Sequence, residues 1–451
     1  MDGHTRIVAA ATAGVDRSLL LGGIEQAFYG GRMDFSIPAD IQALLDECDA
    51  FIDDVIKPIE DEDDNIRFFD HRREDSRTDW DRDGLPNAAW EALLRRMRVE
   101  ADNAGLLRYH LPERFGGRDG SNLAMAIVRE HLARKGLGLH NDLQNESSII
   151  GNFPTVLMME QYGSDEQQAE WIPKMLAGEA RIGFGLTEPL HGSDATWMET
   201  TAVRDGDEWV INGEKYWNTG LHHATHDYIF ARTSGNPGEG HGITNFIVPV
   251  DTPGFVVEEF MWTFNMPTDH AHVRLTDVRV PHSAILGEEG RGLQTAQLFV
   301  HENRIRQASS SVGAGLHCID MAVEHVNNRT VFGKPLAQNQ AIQFPLAELY
   351  TEAEMIRALI WKTAWQMDQG IDHLEITDRV AMCNYRANRF CCNAADQAMQ
   401  ACGGYGYGRA YPFEHIYRHH RRYRITEGTE EIQIRKVAGK LFGISGRAKT
   451  G

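Results

Sequence analysis

The sequence predicts a multidomain α+β chain: an N-terminal helical domain, a central β domain of small barrel or sandwich type, and a C-terminal four-helix bundle. Three observations predict it. From Asn87 to Gly178 the apolar residues recur at helical spacing. Between about 182 and 284, short alternating runs punctuated by Gly, Pro, Asn and Asp replace that period. After Gly292 the helical period returns, and Val312, Leu316, Ile319, Val323 and Val326 form one apolar stripe. A length of 451 residues fits two or three domains. The boundaries fall at 33–180, 181–285 and 286–445, with residues 1–32 an extension of unknown role ahead of a start at Met33.

Each element has its own warrant. Ile41, Leu44, Leu45, Cys48, Phe51 and Ile52 step helically over 37–56, ahead of Pro58. Residues 60–83 mix both charges around Phe68 and Phe69, which predicts an ordered surface insertion. Ser164 and Gln167 make a capping box before Trp171, Ile172 and Met175. Thr201–Val203 and Trp209–Ile211 flank Asp205-Gly206, a hairpin signal. Strands at 228–230, 246–248, 255–257 and 273–275 complete a compact β unit. Beyond the stripe, helices are expected at about 335–369, 377–401 and 429–442, long segments with short joins that suit an antiparallel bundle.

Composition excludes several classes. A net charge of −20 argues against nucleic-acid binding, which needs clustered Lys and Arg. No apolar run reaches membrane-spanning length. The six cysteines show no CxxC pair or metal-ligand spacing, so a reducing compartment without disulfides is expected: the cytoplasm, or a mitochondrial matrix in a eukaryote.

Candidate chemistry lies in five stretches. Phe184-Gly-Leu-Thr-Glu-Pro-Leu-His-Gly-Ser-Asp194 offers the hydroxyls of Thr187 and Ser193 and an approachable backbone at Gly192. It could cradle a phosphate or heterocycle, or simply lead into the first strand. Trp217 and Thr219 in Gly213-Glu-Lys-Tyr-Trp-Asn-Thr219 could serve a ligand or plain core. Arg304 precedes the stripe; Arg329, with Gln340 behind it, could satisfy helix-end carbonyls. Near the C-terminus, Glu427 and Gly428 allow a sharp turn, after which Thr429 can cap a helix whose first acids, Glu430 and Glu431, suit its positive end. His222, His223 and His226 have no acid or Cys at ligand spacing, so no metal is expected.

Taken together, these motifs resemble the flavin-dependent acyl-CoA dehydrogenase family from Met33 onward. The stretch 184–194 is similar to its Thr-Glu-Pro-x-x-Gly-Ser-Asp loop, and 213–219 to its Gly-x-Lys-x-Trp-Ile-Thr segment. The resemblance implies that FAD meets Leu186, Thr187, Gly192, Ser193, Trp217 and Thr219, with Ser193 also near the substrate. Thr429 and Glu431 join the cofactor-binding candidates, while Arg304 and Gly428 are candidates for binding acyl-CoA. Arg329, Gln340, Gln400, Gly403 and Gly404 are implied to reach the FAD of a neighbouring subunit, which makes the protein a homodimer or homotetramer. The departures are His191 for a small residue, Asn218 for Ile, which should make the flavin's surroundings more polar, and His301 for an acid.

The implied reaction is α,β-dehydrogenation of an acyl-CoA thioester. Glu427 takes the α-proton, its pKa raised by burial, and hydride leaves the β-carbon for flavin N5. Carbonyl charge is held by the Glu427 backbone N–H and a ribityl hydroxyl of FAD. Electrons pass to an electron-transfer flavoprotein. An acyl-CoA oxidase would share these residues, and a nucleic-acid-associated scaffold of this fold would need a basic face. Likeness at Gly192–Thr196 points toward long or branched acyl chains.

Overall fold

The computed structural model describes residues 35–142, 147–371 and 375–444; the expected extension 1–32, the start at Met33 and the end at 445 lie outside the described residues. The chain divides into a short unit through Ala43 and a large unit from Leu44 onward. The first contributes the opening of helix α1 (Ala39–Phe51).

In the large unit, the N-terminal helices are α2 (Ala88–Asn103), α3 (Asn122–Arg134), α4 (Pro154–Tyr162) and α5 (Asp165–Ala177). Asn87 and Ser121 cap α2 and α3, and Ser164 with Gln167 closes the capping box of α5. The charged run 60–83 folds into short 3-10 turns. It is held because Phe68 and Phe69 bury against Trp90, with ring centroids 5.3 and 5.7 Å away. Arg77 lies over the same indole and pairs with buried Asp142 at 2.7 Å.

The β region comprises β1 (Ile182–Gly185), β2 (Thr201–Asp205), β3 (Glu208–Thr219), β4 (His226–Arg232), β5 (Ile243–Pro249), β6 (Phe255–Phe260), β7 (His270–Pro281) and β8 (Ile285–Leu286). They form one eight-stranded sheet in the order β6-β7-β3-β2-β4-β5-β8, and β1 pairs in parallel with β4. The predicted hairpin is β2–β3, with Asp205 opposite Glu208 and Gly206 at φ 65° in the turn. Trp209 on β3 meets Phe246 on β5, two strands away from its own neighbour, so the sheet curls over one core.

The C-terminal helices are α6 (Gly292–Asn328), α7 (Gln340–Asp368), α8 (Thr377–Cys402), α9 (Phe413–Tyr423) and α10 (Glu430–Leu441). Ile305, Val312, Leu316 and Ile319 of α6 pack with Ile356 and Ile360 of α7 and Val380 and Phe390 of α8. Four members of the expected stripe are buried, but Val323 is 40% exposed. A period of 3.6 drifts off a fixed seam over so long a helix, and Ala322 takes its place in the core. All six cysteines are free and buried. Among the described residues, no helix is long and apolar enough to cross a membrane.

Candidate active site

The turn between α9 and α10 puts two consecutive residues in left-handed backbone, Glu427 at φ 57° and Gly428 at φ 87°. Glycine does this without strain, whereas a glutamate costs roughly 1–2 kcal/mol and keeps the conformation only when its surroundings enforce it. They do. Arg304 of α6 donates from Nε to the Glu427 carbonyl at 3.0 Å, and its Nη2 bonds the same oxygen. Gln433 Nε2 donates to the Gly428 carbonyl at 2.8 Å. Arg424 pairs with Glu430 at 3.0 Å, and Thr429 caps α10 through the Ile432 N–H. A Cβ at position 428 would lie 2.8 Å from Arg304 Nη2, so the clasp itself demands glycine there.

The Glu427 carboxylate receives Asn303 Nδ2 at 3.2 Å. Arg304 is 2% exposed, and burial pushes its pKa down to about 10 against the pull of Glu427. Nearby on α10, burial and then Arg304 bring Lys436 down to about 8. The neighbouring acid takes another direction. Glu302 faces His110, 3.6 Å away. Burial opposes both charges of that pair, yet their attraction prevails: the carboxyl is held below its usual range and the imidazole above it. His301, the departure from the family acid, turns to Thr377 Oγ1 at 2.7 Å.

A second surface forms where β1 leads into the loop 186–194 beside β3. The Tyr216 N–H donates to the Thr187 carbonyl at 2.9 Å, tying the two motifs together. Opposite β7, Ala271 pairs with Asn218 and Val273 with Lys215, so Tyr216 and Trp217 face a single residue. This β-bulge inverts the alternation. Trp209, Ile211 and Lys215 point inward before it, Asn218 points inward after it, and Trp217 and Thr219 point out. Trp217 has φ 68° and is 47% exposed.

Glu188 and Asn218, both singled out by the motifs, turn inward. Glu188 accepts from Lys215 Nζ at 2.8 Å and from the N–H groups of Glu199 and Thr200 at 2.6 and 2.9 Å. Burial lowers the Lys215 pKa to about 8, although Glu188 opposes the fall. Asn218 donates to buried Asp227 at 2.5 Å. The expectation that Asn218 makes a ligand's surroundings more polar is therefore corrected: the bulge buries its amide beneath the strand.

Leu186, Thr187, Gly192, Ser193, Trp217 and Thr219 thus present an outward indole, hydroxyls and backbone groups, and their charged neighbours are neutralised from within. Such a donor set fits the flat, hydrogen-bonding ring system of FAD. Phe184 stacks on Phe299 of α6 with centroids 4.4 Å apart, joining this surface to the helix that carries Arg304. Glu431 is exposed in the first turn of α10.

Arg329, Gln340, Gln400, Gly403 and Gly404 gather elsewhere. Arg329 lies 6.0 Å from the Tyr405 ring centroid. From Arg304 to Arg329, α6 climbs roughly 37 Å, so these residues stand far from Glu427 of their own chain. Sequence spacing also missed Glu91 of α2, which approaches His222 at 3.5 Å and His223 at 3.9 Å. The two imidazoles close on each other at 2.6 Å. His226 instead meets Trp171 edge-on, its ring centroid 4.6 Å away.

Comparison with known proteins accords with this geometry. The chain matches the acyl-CoA dehydrogenase N-terminal domain over residues 38–179, the middle domain over 183–278 and the C-terminal domain over 290–442. It is 34% identical to the human mitochondrial short-chain specific acyl-CoA dehydrogenase over 75% of this chain and 80% of that one. It is 30% identical to the glutaryl-CoA dehydrogenase of Desulfococcus multivorans over 91% of this chain and 99% of that one. Its fold is similar to a glutaryl-CoA dehydrogenase of Mycobacterium smegmatis solved in complex with FADH2, with TM-score 0.72, 25% identity and coverage of 90% and 95%. The chain therefore belongs to the acyl-CoA dehydrogenase family, flavoprotein oxidoreductases that act on acyl-CoA thioesters.

Proposed function

We propose that the protein binds FAD and dehydrogenates an acyl-CoA between Cα and Cβ, with Glu427 as the base. One observation carries this reading: Glu427 is held in a strained turn by Arg304 and Asn303, while Glu302 is turned to His110. Glu427 removes the α-proton as the thioester carbonyl gains negative charge, and its own backbone N–H faces that oxygen. Arg304 keeps the turn closed through the Glu427 carbonyl. Leu186, Thr187, Gly192, Ser193, Trp217 and Thr219 would hold the cofactor, together with Thr429 and Glu431 of α10. When bound, FAD accepts the hydride leaving the β-carbon and passes electrons to an electron-transfer flavoprotein, the partner that family likeness implies.

Arg329, Gln340, Gln400, Gly403 and Gly404 serve the site of an adjoining copy in a homodimer or homotetramer. The M. smegmatis relative with FADH2 supports the choice of cofactor. The purified protein should be yellow, release FAD on heating, and bleach anaerobically with at least one member of an acyl-CoA panel. Release of FMN, or no bleaching with any thioester, would overturn the reading. Slow reoxidation in air separates the dehydrogenase from an oxidase.

A further inference from the structure

We propose that Asn303 is the positioning residue for Glu427, an amide held by Arg306 and Asn152 so that its N–H orients and stabilises the base as a carboxylate. The proposal rests on Glu427 being the base. Asn303 is 4% exposed and offers one acceptor oxygen and one amide nitrogen. The oxygen receives Arg306 Nη2 at 2.5 Å and Asn152 Nδ2 at 3.2 Å. Two donors on the oxygen leave one orientation for the amide, with its nitrogen toward Glu427 Oε1 at 3.2 Å.

The arrangement is built from separate parts of the chain. Asn303 and Arg306 stand three apart on α6 and share a face. Asn152 comes from the segment preceding α4, and Glu427 from the turn before α10. A buried asparagine needing only satisfied hydrogen bonds could find them on backbone groups. This one connects a guanidinium to the site carboxylate instead. Arg304 grips the main chain of residue 427, and Asn303 grips its side chain.

Removing a donor from the charged form of an acid makes that form harder to reach. The other charged groups around the turn are Arg304 and Arg306 on α6, Lys436 on α10, the Arg424–Glu430 pair, and Glu302 with His110, and a neutral substitution at Asn303 leaves their number unchanged. A shift can then be assigned to the lost donor.

The test is the pH dependence of anaerobic flavin reduction by a reactive acyl-CoA, followed by stopped flow in the FAD-loaded enzyme. Asn303→Leu keeps the approximate volume and removes the donor without adding a charge; Asn303→Ala does the same with a smaller side chain. The acid limb should move to higher pH by about one to two units in each, with acyl-CoA affinity unchanged. Below the limb the rate should fall at least tenfold. Should Asn303→Leu lose its flavin, Asn303→Ala decides alone. A limb that coincides with the parent's, or a loss of rate equal at every pH, means that Asn303 only packs and overturns the proposal. Glu427→Gln separates the two levels. If that variant still bleaches, the base assignment is wrong; if it does not bleach and the Asn303 limb is unmoved, only the inference about Asn303 fails.

Discussion

At the scale of single residues, neighbouring acids are sorted by what their side chains meet. Glu302 and Asn303 are adjacent on α6, and one residue rotates a helical side chain by about 100°. That rotation sends Glu302 to His110 and Asn303 to Glu427. Glu427→Gln preserves size and most hydrogen bonding but cannot accept a proton, and loss of a general base costs ~10²–10⁴-fold in rate. The variant should stay folded, yellow and able to bind acyl-CoA, with flavin bleaching slowed by that factor. Glu302→Gln should retain bleaching at near the parent's rate. Stopped-flow reduction of the pair checks the assignment, and the reverse pattern would exchange the two roles. The Glu427 turn was legible because Glu-Gly followed by a capping Thr is a local signal. The amide that holds the carboxylate was not, because its partners come from residues 152, 306 and 427.

At the scale of elements, the parallel pair β1–β4 places Gly183 opposite Asp227, and no larger residue fits. A Cβ at Gly183 would lie 2.8 Å from Asp227 Oδ1, and one at Gly185 2.6 Å from Asn218 Nδ2. The strand must therefore be glycine-rich where it passes this buried carboxyl. Asp227 is wholly buried, and Asn218 meets one of its oxygens. Burial raises its pKa to about 7, against the smaller opposing effects of Asn218 and Lys215. The folded state then holds a proton that the unfolded chain releases from near pH 4 upward, so this group's contribution to stability falls between about pH 4 and 7. Asp227→Asn removes that dependence. Thermal unfolding across this range should show the variant gaining on the parent as pH rises, by on the order of a few kcal/mol, with the gap level above pH 7. A pH-independent gap would mean that Asp227 stays ionised in the fold. The sequence showed the strands through their alternation, but the bulge at Tyr216-Trp217 is set by pairing with β7, a partner more than fifty residues away. The burial of Asn218 was not legible for that reason.

At the scale of the whole molecule, the residues that family likeness assigns to one cofactor form two groups, one beside β1 and β3 and one at the C-terminal end of α6. Helical, β and helical segments were legible in order because the apolar period changes at their joins, whereas the distance between the groups depends on α6 running unbroken through Gly292–Asn328. Around Arg329 the surface is unusually aromatic: Phe332 and Tyr407 are almost wholly exposed, and Phe344 and Tyr405 are more than half exposed. Exposed apolar clusters of this kind mark surfaces that another protein covers. In the proposed homo-oligomer a second copy would cover this surface and bring one chain's Arg329 and Gln400–Gly404 to the other's Trp217 and Thr219 face. The FAD-loaded protein should sediment at micromolar concentration as a dimer or tetramer. Phe332→Arg sets a charge in the proposed contact and leaves every residue of the Glu427 turn untouched. It should shift the protein toward monomer and release FAD in parallel, so that sedimentation recorded at the flavin's absorbance loses signal from the oligomer without gaining a yellow monomer. A monomer that keeps its FAD and still bleaches with acyl-CoA would show that each chain completes its own site.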